Sequence, residues 1–268
     1  MTTATSGAPA RHISATGQFV TLYTMQLRRL LRARKTIVLG VLQLLPVLGV
    51  LFYALFRDID GMALFRDFTS QAVLIFMLPL AALFYGGPSV VDEIEGRTLT
   101  YMTLRPLPKP VLFLGKWAAG ATIATGMMLV VVGVLFAVCL PSFPDTSSAL
   151  GQLARFGAAT VFGTLIYSAI CASLGALFTS SIFSGVLYLI LFELILAQSP
   201  EVDLLSVRYY LRAVAGLPAT DRFKQFDAIY NNAPTVVPSW LAALMLSALL
   251  GATLAAGALI FRSKQYKV

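Results

Sequence analysis

Residues 92–110 read DEIEGRTLTYMTLRPLPKP and form a charged island between two long apolar runs. Three carboxylates open this stretch, and basic residues and prolines close it. The flanking runs, residues 71–91 and 111–140, are both long enough to cross about 30 Å of hydrocarbon, which takes a helix of about 20 residues. The stretch is therefore predicted to be a polar loop between two membrane-spanning helices.

The composition extends this interpretation to the whole chain. Hydrophobic residues make up 58% of the 268 residues and charged residues 12%, whereas soluble domains carry roughly 25% charged residues. Several long apolar blocks with few charges predict an all-α polytopic membrane protein. The six predicted spans are residues 36–56, 71–91, 111–140, 153–178, 182–198 and 239–261.

The segment before the first span is predicted to contain two parts. Residues 1–16 are polar and small, which is typical of a flexible tail. Residues 17–35 have helical amphipathic spacing, with a basic face formed by Arg28, Arg29 and Arg32 and an apolar face on the other side. We expect a helix in the membrane surface whose basic face meets anionic headgroups. A basic flank that only fixes the orientation of the first span is the alternative.

The distribution of Lys and Arg predicts the orientation. With both termini and the 92–110 loop in the cytoplasm, thirteen of the twenty basic residues lie inside and seven outside. This bias satisfies the positive-inside rule. It also explains the net charge of +8 through membrane topology, so nucleic acid is not an expected partner.

The longest predicted outer connection is residues 199–238, within the membrane domain 36–268. Apolar residues recur there at helical spacing beside Arg208 and Arg212, namely Leu204, Val207, Leu211 and Val214. One or two short amphipathic helices at the outer surface are predicted, with a solvated loop as the alternative. Trp240 is placed to anchor the start of the last span at the interface.

The sequence lacks the usual catalytic constellations. It contains no P-loop motif, a single histidine (His12) and no metal-spaced Cys/His cluster. We therefore expect a non-catalytic chain without a cofactor of its own. Glu193 lies inside an apolar run, where a carboxylate is costly and faces a partner or a cavity. It is a candidate intramembrane polar site, with a structural contact near the outer interface as the favoured alternative.

Local rules predict a shape for the loop. Gly96 can end the preceding helix, and Thr98 can cap a short helix over residues 99–104. The prolines then stop that helix, and Pro110 can open the third span at its first position. A short helix with apolar residues and flanking charges suits docking into a groove on a soluble protein. A plain charged turn is the alternative.

At these residues the chain resembles a known family. The pattern Glu93-x-Glu95-Gly96-x-Thr98-Leu99-x-Tyr101, followed by Arg105-Pro106-x-Pro108-Lys109 and Gly115-Lys116, is similar to the cytoplasmic loop of type-2 ABC exporter permeases. The sharp motif covers only about 25 residues, from the loop to Lys116, and the six-span architecture extends the likeness to the whole chain. Arg97 separates Gly96 from Thr98, where many members have the two residues adjacent.

The resemblance implies a permease subunit in a bacterial or archaeal cytoplasmic membrane. It implies a second permease copy, in a homodimer or heterodimer, and a separate cytoplasmic ATPase subunit that binds ATP and Mg²⁺. An extracytoplasmic accessory protein is a further candidate partner. The implied coupling-helix contacts with the ATPase are Glu93, Glu95, Gly96, Arg97, Thr98, Leu99, Tyr101 and Met102. Arg28, Arg29 and Arg32 are secondary contacts.

Two other functions are compatible with the sequence. A membrane anchor or force-transmitting subunit could recruit an ATPase through the same loop without moving a substrate. A secondary carrier would need ionisable or broken-helix sites near the midplane, and only Glu193 offers one. ATP-driven export is the preferred hypothesis.

Overall fold

The computed structural model describes residues 15–56, 60–87, 108–143, 146–178, 181–191, 206–217 and 237–263. All elements within these ranges are helices. They are α1 (Ala15–Leu31), α2 (Arg34–Phe56), α3 (Gly61–Phe68), a π-helix (Thr69–Met77), α4 (Leu78–Gly86), α5 (Lys109–Cys139), a short 3₁₀ turn (Leu140–Ser142), α6 (Thr146–Leu177), α7 (Ser181–Tyr188), α8 (Val207–Val214) and α9 (Ser239–Ser263).

Five helical segments in the described residues are long and apolar enough to cross a membrane. They are Arg34–Tyr53, Gly61–Gly86, Lys109–Ser142, Ser147–Leu177 and Ser239–Ser263. The all-α polytopic class is therefore confirmed. The other predicted span, residues 182–198, enters the described residues only as α7 and the turn after it. Its remainder, including Glu193, lies outside them, so six spans and cytoplasmic termini stay predictions.

The second span begins earlier than predicted. A continuous helical segment runs from Gly61 to Gly86, whereas hydropathy placed the start at residue 71. Asp60 caps the segment, because its side chain accepts a hydrogen bond from the Met62 amide at 2.9 Å. Arg66 and Asp67 lowered the local hydropathy, although the helix continues through them.

An aromatic cluster explains why this early segment packs against the bundle. Phe65 is fully buried, and its ring meets those of Phe136, Phe143 and Phe156 edge to face at centroid distances of 5.4–6.3 Å. Edge-to-face pairs of this kind add about 0.5–1.5 kcal/mol each beyond simple burial. The cluster joins α3 to α5 and α6 at the predicted outer end.

A π-helix interrupts the second span just before a proline. Residues Thr69–Met77 are wound with the wider π register, and Pro79 follows in the first turn of α4. Proline lacks an N–H and its ring crowds the carbonyl four residues earlier, so an α register cannot continue through it undisturbed. Thr69 is fully buried, and its hydroxyl has no hydrogen-bond partner in the described part of the chain.

The central helix of the bundle is α6. It packs against α4, α5, α7, α8 and α9, and its buried face carries small residues such as Ala159, Ser168 and Ala172, which allow close helix packing. By contrast, α2 and α9 expose many apolar side chains, among them Ile37, Phe52 and Leu259. Such surfaces suit contact with lipid tails.

The insert before the last span contains the amphipathic helix α8. Ser206 caps it by accepting a hydrogen bond from the Arg208 amide at 3.2 Å, and Val207, Leu211 and Val214 are buried. Leu211 reaches Gly163, which lies near the middle of α6. The helix therefore extends into the bundle alongside the spans, deeper than a helix resting on the outer surface.

A tight turn ends α8. Gly216 has a φ of +70°, and the Leu217 amide donates to the Arg212 carbonyl at 3.0 Å, as in a Schellman cap. The guanidinium of Arg155 on α6 lies against this turn, where a cation opposes the negative end of the helix dipole. Ser239 also donates to the Ala213 carbonyl at 2.9 Å. The end of α8 is thus tied to both α6 and α9.

Candidate functional site

The candidate site is the loop between the second and third spans, together with the helices that hold its ends. Most of the loop, including every predicted contact from Glu93 to Met102, lies outside the described residues. Those contacts stay predictions. The structure does describe α4, which enters the loop, and α5, which leaves it.

Proline sets the exit from the loop. Pro108 is extended (φ −62°, ψ 126°) and precedes the first helical residue, Lys109. The amides of Val111 and Leu112 both donate to the Pro108 carbonyl, at 3.0 and 3.3 Å. Pro110 lies in the first turn, where its missing N–H costs nothing. The sequence predicted Pro110 as the first residue of this helix. The helix begins one residue earlier, at Lys109.

Ser168 on α6 joins the two helices that carry the loop. A Cβ atom on Gly86, at the end of α4, would lie 2.6 Å from the Ser168 carbonyl oxygen and 2.8 Å from its Cα. On the other side, the indole Nε1 of Trp117 on α5 donates to Ser168 Oγ at 3.1 Å. Ser168 Oγ in turn donates to the Leu165 carbonyl at 2.9 Å. We call Gly86, Trp117 and Ser168 the loop junction.

A second group of contacts fixes the first turns of α5. Phe113 is fully buried and lies against Gly257 of α9, with its ring 6.0 Å from that of Phe261. Ser173 on α6 donates to the Thr253 carbonyl at 2.9 Å. The exit of the loop is thereby connected to the last span as well as to the central helix.

The amphipathic helix α1 packs against α5 near this exit. Phe19 and Leu22 lie against Gly115, and the Tyr23 hydroxyl is 3.1 Å from Thr122 Oγ1. Because both sets of contacts advance in the same direction, α1 follows α5 away from the loop. A Cβ on Gly115 would meet Leu22 and Phe19 at 3.5–3.9 Å, which is ordinary van der Waals contact.

The basic residues in the last turn of α1 and directly after it face away from the bundle. Arg28, Arg29 and Arg32 are all exposed, so they are free of the packing that holds the opposite face. The apolar face that packs is narrow, because Val20 and Leu31 are exposed while Leu30 is buried. The structure shows where these arginines lie relative to α5, and their contact with an ATPase stays a prediction.

α1 ends before the predicted limit at Lys35. The last residue of the helix is Leu31, and α2 starts at Arg34. The Leu30 carbonyl accepts hydrogen bonds from the Ala33 amide at 3.1 Å and the Thr36 hydroxyl at 2.6 Å. These bonds replace the next α-helical bond and turn the chain into the first span.

The buried hydroxyls between α5 and α6 are satisfied locally. Thr125 and Thr164 are hydrogen-bonded to each other at 2.8 Å, and Thr160 donates to the Phe156 carbonyl at 2.7 Å. The two cysteines, Cys139 and Cys171, are buried free thiols. In the described ranges no group of three or more His, Cys, Asp or Glu side chains could hold a metal ion.

Sequence reasoning missed the loop junction. The small side chain of Ser168 is typical of close helix packing, and no sequence pattern assigned a role to Gly86 or Trp117. A tryptophan eight residues into a spanning helix was a visible signal, because an indole N–H in an apolar setting needs an acceptor. Its partner could not be identified without the tertiary structure.

The arrangement is that of a membrane bundle whose polar loop is held at both ends. Residues 30–195, more than half of the chain, match the family model described as ABC-2 family transporter protein. The chain belongs to this family. As an ABC-2 family member it is a membrane permease component of an ABC transporter, a class whose membrane subunit is generally non-catalytic. A comparison with curated proteins found no match.

The matched range has a direct structural meaning. It begins at the end of α1 and continues through the second and third spans, so it includes the whole 92–110 loop and the loop junction. Membership in the ABC-2 family implies a lipid bilayer and a partner ATP-binding subunit. The matched range ends before α8 and α9.

Proposed function

We propose that this ABC-2 permease exports a substrate across the cytoplasmic membrane, driven by ATP hydrolysed on a separate ATPase docked at the 92–110 loop. The observation that carries this proposal is the loop junction. Both helices that bear the loop meet the same residue, Ser168, on the helix at the centre of the bundle. A force applied to the loop therefore reaches α6 through two short, rigid contacts.

The mechanism follows the order of contacts. ATP and Mg²⁺ bind to the ATPase, whose closure displaces the loop. The end of α4 cannot move towards α6, because Gly86 already lies in backbone contact with Ser168. α6 must therefore shift with it, and its contacts with α8 and α9 carry the shift to the opposite end of the bundle. A second permease copy completes the pathway in this proposal.

α1 supplies a second connection between the ATPase and the helices of the bundle, in addition to the loop. It is packed on the first half of α5 through Phe19, Leu22 and Tyr23. Its exposed arginines form a surface complementary to carboxylates on an ATPase. Contact at both the loop and α1 would hold the ATPase against α5 from two sides and limit its rotation.

The test is recovery of the ATPase with the tagged permease. Leu99→Asp places a charge on the proposed docking helix, and Glu95→Arg reverses one. We expect both variants to reach the membrane at the wild-type level but to lose the ATPase on purification. Leu99→Met and Glu95→Gln are the matched controls, and both should retain most of it.

Transport is measured in parallel. Inside-out vesicles are incubated with a cell extract as the probe, and ATP-dependent accumulation is compared by mass spectrometry. Full ATPase binding and unchanged accumulation in both charge variants would reject the proposed docking site. Normal ATPase recovery with no accumulated compound from any extract would favour an anchoring or force-transmitting role.

A further inference from the structure

Gln43 is a buried amide without a hydrogen-bond partner. It lies near the middle of α2 and is 2% exposed. Both Oε1 and Nε2 lack a partner in the part of the chain that the structure describes. A buried polar group left unpaired destabilises the state in which it is found. Such a residue therefore needs an explanation other than packing.

The other buried polar side chains show how unusual this position is. Thr160, Thr164 and Ser168 all donate to a backbone carbonyl. Among the described side chains, the remaining unpaired buried atoms are the Thr69 hydroxyl and one oxygen of Gln152. Gln43 differs from both, since it leaves a donor group and an acceptor unpaired together.

Gln43 faces the seam between α2 and α5. Leu39 and Val47, one turn before and one turn after it, are buried on the same helical face, and α2 packs chiefly on α5. Next to Gln43, a Cβ on Gly40 would lie 3.2 Å from the Cε of Met127. A glycine opposite a flexible thioether makes a contact that can rearrange at low cost.

The described helices hold α2 from one side only. The opposite side of α2 carries exposed apolar residues such as Val41, Leu45 and Leu48, so no described helix confines α2 from behind. A separation of α2 from α5 would make the Gln43 amide, near the middle of α2, available to a ligand. α6 offers no equivalent, because helices pack around it on several sides.

We propose that Gln43 is a substrate-binding residue that recognises an uncharged amide or a similar paired donor and acceptor on an amphipathic molecule. The proposal rests on the export function above. A carboxamide presents one acceptor and two donor hydrogens, so it matches another amide in a two-point contact. The apolar residues around it disfavour a charged group. The unpaired state seen here is then the closed state of the seam, before the ligand enters.

The experiment uses the full-length permease in detergent, with octanamide as the probe. Its N,N-dimethyl derivative has the same apolar body but no N–H donor. The test variant is Gln43→Leu, and the matched control is Gln71→Leu, which removes an exposed amide from the second span. Melting temperatures are recorded with and without each compound.

Two results are expected. Without a compound, Gln43→Leu should melt roughly 2–8 °C above the wild type, because the unpaired amide is gone, and Gln71→Leu should not. Octanamide should raise the melting temperature of the wild type and of Gln71→Leu more than the dimethyl derivative does. Gln43→Leu should respond equally to both compounds.

Other results overturn the proposal. It fails if Gln43→Leu melts at or below the wild-type temperature, if it keeps the full octanamide shift, or if octanamide gives no shift in the wild type. Recovery of the ATPase with Gln43→Leu is measured separately. Because that recovery reports on the loop and not on the seam, failure of this inference can be distinguished from failure of the proposed function.

Discussion

The indole of Trp117 donates a hydrogen bond to Ser168 Oγ at 3.1 Å, beside the point where Gly86 meets the Ser168 backbone. One serine thus receives contacts from the helix that enters the 92–110 loop and from the helix that leaves it. Gly86 and Trp117 lie more than thirty residues apart in the sequence, and the third helix, α6, holds both through Ser168.

Trp117→Phe tests the side-chain half of this contact. Phenylalanine keeps the ring but removes the N–H donor, so we expect a loss of about 1 kcal/mol in stability and less transport for each ATP hydrolysed. The readouts are thermal unfolding and ATP-dependent accumulation in vesicles. Trp240→Phe is the control, since Trp240 is 68% exposed, and it should change neither. Equal behaviour of the two variants would contradict a role for the hydrogen bond.

Gly86→Ala tests the backbone half. The new methyl group would lie 2.6 Å from the Ser168 carbonyl oxygen, so the helices must separate, at a cost of about 1–3 kcal/mol. Gly126→Ala is the matched change on α5, where no atom lies within 4 Å of the new carbon. It should stabilise the helix by about 0.5–1 kcal/mol. Denaturation in mild detergent measures both, and a neutral Gly86→Ala would argue against close contact.

Gly216→Ala tests the turn that ends α8. The residue has φ +70°, which costs a non-glycine residue about 1–2 kcal/mol, and its Cβ would lie 2.8 Å from Arg155 Nη1. We expect reduced thermal stability. The double variant Gly216→Ala/Arg155→Ala should lose less than the sum of the two single changes, because the arginine no longer collides with the methyl group. Strict additivity would show that the two positions are independent.

Leu22→Asp tests whether α1 needs its packing on α5. Leu22 lies 3.5 Å from the Cβ position of Gly115, so a carboxylate there should release the helix and expose it to protease. Thr24→Asp adds the same charge at an exposed position and should leave the cleavage rate near that of the wild type. Similar digestion of the two variants would contradict the observed packing.

The exposed arginines at the end of α1 and directly after it allow a charge-reversal experiment. Replacing Arg28, Arg29 and Arg32 by Glu should reduce ATPase recovery most strongly at low salt, because surface charge attraction is screened within about 10 Å at 0.1 M salt. Arg208→Glu on α8, at the predicted outer side, should leave recovery unchanged. A salt-independent loss in the triple variant would indicate misfolding and not lost attraction.

The features predicted best are those that depend only on neighbouring residues in the sequence, such as the limits of an apolar span or the buried face of an amphipathic helix. The first, third and last spans lie close to their predicted limits, and Val207, Leu211 and Val214 form the buried face of α8 as their spacing predicted. The start of the second span was predicted ten residues too late. Asp60 caps a helix that continues through Arg66 and Asp67, and a hydropathy average cannot detect such a cap.

The missing parts depend on contacts between distant segments. Gln43 was visible as a polar residue in an apolar run, but its lack of a partner is a property of the packed seam. Gly86 meets Ser168 across many intervening residues, and glycine in a membrane helix is too common to single out one position. The predicted ATPase contacts in the loop could be assigned only through resemblance to a family, and they still await the experiments above.

The π-helix at Thr69–Met77 makes the second span shorter than an α-helix of the same number of residues would be. A π turn contains more residues than an α turn, so the same nine residues reach a shorter distance along the axis. Rewinding these nine residues into α geometry would lengthen this segment. It would also shift and rotate everything that follows, including Tyr85 and Gly86. A change in the winding of Thr69–Met77 would therefore push the end of α4 along its axis and rotate it, and this motion would reach the loop that follows α4.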